Sequence, residues 1–211
     1  MILKMEFEEK RISEEKNSGK STKVDLPVLS FATQEEFVSW QMHNHTDMNG
    51  IWVRFYKKNS GIKTIVYDEA LDVALCYGWI DGQLKKYDET SYIQRFTPRR
   101  AKSIWSKRNV GKVENLIQDG KMKPSGLKEF EAAKADGRYE SSYDSQGNMI
   151  IPTDFLTEIE KNKKAHEFFK TLNKTNLYAI GWRLQTATNP QIRIKRINEL
   201  IEKLEKEQKF H

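Results

Sequence analysis

The 211 residues contain one cysteine, Cys76, so no internal disulfide can form. It sits in the apolar run Ala70-Leu71-Asp72-Val73-Ala74-Leu75-Cys76-Tyr77 with no cation beside it, which predicts a small buried hydrophobe rather than a nucleophile. No stretch approaches the ~18 consecutive apolar residues of a membrane span. The opening Met1-Ile2-Leu3-Lys4-Met5-Glu6-Phe7-Glu8 meets acids at once and lacks the apolar core of a secretory signal, so a cytoplasmic location is the expectation. A phosphate loop and a G-x-G-x-x-G fingerprint are both missing, and no G-x-S-x-G surrounds Ser103 or Ser106. His43 and His45 stand two apart, which points them away from each other on a helix, and no third ligand follows at a recognised spacing. Neither a metal nor a cofactor is expected.

Acids are scarce in one place. The net charge of +6 is not spread over the chain: residues 85–108 hold eight bases against two acids, which leaves 28 of each sign elsewhere. Such a local excess implies an anionic partner more directly than a high isoelectric point does, although a solvated basic hairpin has the same composition.

Residues 1–23 are rich in Lys, Glu and Ser and read as a flexible charged tail, and 24–211 as a single α+β domain with a helical subregion at about 153–207. Val24 to Phe31 reads as a short strand, broken or pushed to an edge by Pro27. Thr33-Gln34-Glu35-Glu36 has the form of a capping box opening a helix. Ile51 to Lys57 alternates Ile/Val/Phe with Trp/Arg/Tyr, the period of a strand. Tyr67 to Tyr77 reads as a helix with Gly78 at its left-handed end. Trp79–Tyr87 and Ser91–Thr97 form an antiparallel hairpin, Gly82 marking a bulge. Helices capped by Asn109, Ser125 and Thr153 are expected next. The last opens at Asn189-Pro190 and carries the stripe Ile197, Leu200, Ile201, Leu204. The predicted fold is therefore a small, mainly antiparallel sheet with helices around it and a helical C-terminal half.

The block Tyr77-Gly78-Trp79-Ile80-Asp81-Gly82, followed by Arg95-Phe96-Thr97-Pro98-Arg99-Arg100 and Trp105-Ser106-Lys107, carries a resemblance. With Tyr67-Asp68-Glu69-Ala70, Gly120-Lys121-Met122 and Asp136-Gly137, it resembles the YdeI/OmpD-associated family, also described as bacteriocin-protection proteins, from about Pro27 to Leu204. The family name implies antimicrobial-peptide resistance and association with an outer-membrane porin, and some members are described as periplasmic. The resemblance brings no catalytic residues with it. Where the family reads Ala-Lys before its last helix and Thr-Arg in the turn, this chain has Ala187-Thr188 and then Gln191-Ile192-Arg193, so a basic group is missing at 188.

Arg95, Arg99 and Arg100 offer paired guanidinium donors for phosphate or carboxylate. Trp79 and Trp105 serve either as core or as flat surfaces for a ring. Asp81, next to Gly82, either fixes one of the arginines or acts as a general base. Ser103 and Ser106 either donate to an anion or cap helices, and Lys107 adds charge. The first expectation is an anionic small molecule or polymer held by Trp79, Asp81, Arg95, Arg99, Arg100, Ser103, Trp105 and Lys107. The alternatives are a nucleic-acid module using the basic hairpin and a small enzyme using Asp81 with the arginines. Arg95 and Arg99 are predicted to lie near Asp81.

Overall fold

A computed structural model describes residues 25–46, 49–187 and 189–210. The residues read as a tail, 1–23, and Thr188 lie outside these. The fold is α+β: four strands and eight helices among the described residues.

The strands are β1 (Val28–Ser30), β2 (Ile51–Tyr56), β3 (Trp79–Lys86) and β4 (Ser91–Pro98), in the spatial order β1-β2-β4-β3. β1 pairs parallel to β2, and the other two pairings are antiparallel. β1 is shorter than the sequence suggests. Pro27 precedes it, lending only its carbonyl to the Trp52 N–H at 2.8 Å, as suits a residue without an amide hydrogen at an edge. β4 runs one residue beyond the expected Thr97 and ends at Pro98, paired with Trp79. The expected bulge is present, the β3–β4 register shifting between Asp81 and Leu84.

β4 lies between β2 and β3, and its period of two sorts the sheet into two faces. Phe96 points inward, against Phe37 and Phe55. Arg95 points outward beside its cross-strand partner Trp52. The inner face is covered by α1 (Gln34–Asn44) and α2 (Tyr67–Cys76), with α3 (Lys107–Gln118) and α4 (Pro124–Ala135) packed beyond. Phe37, Ile51, Phe55, Leu71, Trp79, Phe96 and Phe130 are almost wholly buried there. Gly78 closes α2 at φ 76°, where a side chain would strain the backbone.

Several caps differ from the expected residues. α3 is capped by Ser106, whose Oγ accepts the Asn109 N–H at 3.2 Å, so Asn109 is the donor and not the cap. α4 opens with Pro124 after Lys123 rather than at Ser125. At α1 the Thr33 hydroxyl accepts from Glu36 as foreseen, but the Glu36 carboxylate turns back to the Ala32 N–H at 2.7 Å.

The C-terminal helices are α5 (Thr153–Glu160), α6 (Lys163–Lys170), α7 (Lys174–Gln185) and α8 (Pro190–Glu205). Pro152, not Thr153, holds the α5 cap position. Asn189 caps α8 with Pro190 in its first turn, as its sequence predicts. α7 was not anticipated; Asn173 caps it, accepting from the Asn176 N–H at 3.0 Å. These helices share a second hydrophobic cluster built on Phe155, Ile159, Ile180, Leu184, Ile197, Leu200 and Leu204. No helix of the described residues is long and apolar enough to cross a membrane.

A strap at 138–149 ties the two clusters together. The Tyr143 N–H donates to the Trp105 carbonyl at 3.0 Å, and the Lys107 N–H donates to the Tyr143 carbonyl at 2.9 Å. From the other side, the Tyr143 ring meets Trp182 of α7 edge-on, Gln185 bonds Asp144, and Met149 packs directly onto Gly181.

The β3–β4 turn depends on one carboxylate. Asp88 accepts from the Ser91 hydroxyl at 2.8 Å and from both the backbone and the hydroxyl of Thr90, and it pairs with Arg54. The Ser91 bond above all, with help from Thr90 and Arg54 and against a smaller effect of burial, lowers its pKa to about 2. A carboxylate depressed in the folded state contributes stability above its unfolded pKa and loses it as pH falls through the folded value. Thermal melts from pH 5 down to pH 2 are therefore expected to show a progressive loss of stability that Asp88→Asn flattens; an unchanged pH profile in the variant would remove Asp88 as the source.

Candidate anion-binding site

At the end of β4 farthest from the hairpin turn, a cleft of about 430 Å³ opens between β4 and the segment leading into β2. Arg95, Thr97, Arg99 and Arg100 line it from β4 and the turn beyond; Leu26 and Asn49 form the other wall. No acidic residue is among the lining groups. Gly50 makes this geometry accessible. Its φ of 139° suits glycine, and a Cβ there would come within 2.7 Å of Thr97 Cγ2 and 2.8 Å of the Phe96 carbonyl oxygen.

Arg99 is 7% exposed. Its guanidinium lies over the Trp105 ring, 3.4 Å from the centroid, and Nη1 makes a long 3.4 Å bond to the Ile104 carbonyl. Nε and Nη2 are buried without an acceptor, and among the described residues no carboxylate pairs with it. Burial pulls its pKa down to about 10, partly countered by Tyr143, Asp81 and Glu129. A stacked indole offsets some of the desolvation, since the ring face attracts a cation, but a charge this deep ordinarily has a counter-ion.

Arg95 repeats the pattern more shallowly. Its side chain crosses Gly82, whose Cβ would stand 3.3 Å from Nε, and that Nε is also buried without a partner. Arg100 is exposed, its N–H donating to the Ser103 hydroxyl at 3.0 Å to close the turn. Three arginines thus line one cleft.

The remaining expected site residues stand elsewhere. Asp81 pairs with neither arginine: its Oδ2 accepts from the Tyr67 hydroxyl at 2.8 Å and, more weakly, from Gln94 at 3.4 Å. Asp81 faces inward opposite Phe96 while Arg95 faces outward, and that opposition of sides is the physical reason. Trp79 is core, 1% exposed, its indole N–H donating to the His45 carbonyl at 3.1 Å. Trp105, 2% exposed, is a support for Arg99 rather than a platform for a ligand. The Ser103 carbonyl accepts from Arg138 at 2.9 Å. Lys107 pairs with Asp144 of the strap at 2.9 Å. Burial would raise Asp144, but Lys107 and Gln185 together outweigh it and hold its carboxyl below the usual range. His43 and His45 bond the carbonyls of Ser39 and Gln41 one turn back and so finish α1.

Two contributors were missed in the sequence. Tyr143 is tied through its backbone to the Trp105 turn beneath Arg99, and burial chiefly raises its pKa and keeps its phenol neutral. Arg138, as buried as Arg99, has the carboxylate that Arg99 lacks and a shorter carbonyl bond: Asp136 grips its Nε with two oxygens at 2.8 Å, and the Ser103 carbonyl takes Nη1 at 2.9 Å. Asp136-Gly137 follows the end of α4, and nothing local in the sequence shows that Arg138 folds back under the turn at 103.

Residues 148–207 match the family described as Bacteriocin-protection, YdeI or OmpD-Associated. Residues 29–129 match a Domain of unknown function (DUF8412). The chain therefore carries a YdeI/OmpD-associated segment, and it coincides with the helical C-terminal cluster. The Trp/Arg motifs and the cleft fall in the other matched region. No curated protein and no solved structure matches the chain.

The two buried arginines make opposite predictions in urea melts. Arg138→Met breaks a two-oxygen charged pair and should cost about 1.5–3 kcal/mol. Arg99→Met removes a desolvated charge along with its ring contact, and the two effects should cancel to within about 1 kcal/mol. A loss at Arg99 as large as that at Arg138 would mean that Arg99 is a structural strut.

Proposed function

We propose that the protein binds a small anion of the phosphate class in the cleft formed by Arg95, Arg99 and Arg100. The description of the family matched at 148–207 suggests a setting in bacteriocin protection. The observation that carries the reading is the Arg99 guanidinium, buried beside a cleft without acids and unpaired with any carboxylate of the described residues. An arriving anion would neutralise a charge the fold has already desolvated, so the protein bears that cost before binding. The planar fork of guanidinium suits an oxyanion because two parallel donors meet two oxygens. A catalytic role for Asp81 is less supported, since its Oδ2 is already engaged by Tyr67 and Gln94.

Titration calorimetry with inorganic phosphate is expected to show binding, and the same anion should raise the melting temperature. Arg99→Lys keeps the charge and loses the fork, which should weaken binding by about 1.5–3 kcal/mol. Because the pair is shielded from solvent, raising the salt should weaken binding only modestly. Absence of phosphate binding, or an unchanged affinity in Arg99→Lys, refutes the assignment.

A further inference from the structure

The outward face of the sheet continues from this cleft. Directly opposed residues of an antiparallel pair share a face. Trp52 opposes Arg95, and Arg54 opposes Ile93, which in turn opposes Lys85. Trp52, Lys85 and Arg95 therefore stand together on the side away from the helices. Trp52 is part-exposed, and the Lys85 ammonium lies over its ring, 4.8 Å from the centroid. Lys85 is exposed and, among the described residues, has no carboxylate partner, so nothing but the ring holds its ammonium in place. Farther along β2, Arg54 is already taken: it lies 4.5 Å from both the Tyr56 and Tyr87 rings and is neutralised by Asp88. The accessible indole of this face is thus the one beside the arginine cleft.

Resting on the anion-binding reading above, we propose that the ligand of this site is a nucleoside diphosphate, its two phosphates among Arg95, Arg99 and Arg100 and its base on the Trp52 ring. Three arginines lining a cleft that no carboxylate lines match a group carrying two or three negative charges better than a single carboxylate. Direct cross-strand partners stand about 5 Å apart, a gap that a ribose between phosphate and base spans. Lys85, displaced from the ring by the base, has a free ammonium to set on the phosphates. Stacking on an exposed indole accepts any base, because every base has a π-face. The geometry therefore selects ring plus polyphosphate and leaves the choice among bases to contacts outside Trp52.

The test compares pyrophosphate, ADP, adenosine and a ten-residue oligothymidylate on the full chain by calorimetry and tryptophan fluorescence. ADP is expected to bind at least tenfold more tightly than pyrophosphate, adenosine weakly, and ADP to quench the emission of Trp52. Trp52→Leu should bring ADP to the pyrophosphate affinity while leaving pyrophosphate unchanged. Trp52→Phe, which keeps an aromatic ring on the same face, should retain most of the preference for ADP but lose the quenching. Equal binding of pyrophosphate and ADP, with Trp52→Leu indifferent to both, overturns the base site and leaves the anion site standing. Failure of every phosphate compound overturns both. Tight, steeply salt-dependent binding of the oligothymidylate with no response to ADP overturns the proposal in favour of a single-stranded polymer.

Discussion

Strand β4 is the constraint on which the rest is arranged. It pairs on both sides, with β2 and with β3, so its backbone hydrogen bonds fix the register of the three longest strands. Its alternation then divides the chemistry. Phe96 sits in the aromatic core with Phe37 and Phe55, while Arg95, one residue before, is committed to the opposite face. A slip of one residue would exchange them, burying an arginine among phenylalanines, and that cost is what holds the register. The cleft exists because β4 runs past Gly50 at a distance that no side chain at that position would permit.

Past Pro98 the alternation ends and a different physics takes over. Arg99 turns into the protein and rests on Trp105, which is itself braced edge-on by Phe130. The ring face provides attraction without a full counter-charge. The guanidinium is thereby kept dry but only partly neutralised, with the Asp81 carboxylate contributing at longer range. Arg138 shows what the same region does with an arginine that serves the fold: a carboxylate is supplied two residues away and a carbonyl receives Nη1. The contrast between two equally buried arginines is stronger ground for a site than the overall basic charge, most of which is solvated.

The strap at 138–149 makes the site a matter for both hydrophobic clusters. Tyr143 is bonded on its backbone to the Trp105 turn and packed on its ring against Trp182. Movement of the C-terminal helices therefore bears on the indole beneath Arg99. The family match over 148–207 and the cleft lie in different segments of chain, and this strap is the physical link between them.

Much of the frame was legible from local pattern. The alternation in Ile51 to Tyr56 already separated a Trp/Arg/Tyr face from an Ile/Val/Phe face, and Gly78, Gly82 and Asn189-Pro190 marked a helix end, a bulge and a cap. Those signals are local because they arise from backbone geometry within a turn or two. Helix α7 leaves little local signal because its single buried stripe, Ile180 and Leu184 with small Ala179 and Gly181 beside them, is short and weakly periodic. The sequence by itself determined which residues alternate, where turns fall and that the positive excess lies at 85–108. Only the tertiary structure decided which arginine is paired. Asp81 takes its donors from Tyr67 and Gln94, 14 and 13 residues away, and Arg138 reaches a carbonyl 35 residues away. Apart from the Asp136–Arg138 pair, two residues apart in the chain, pairing is settled by which groups the packed core brings within hydrogen-bond reach.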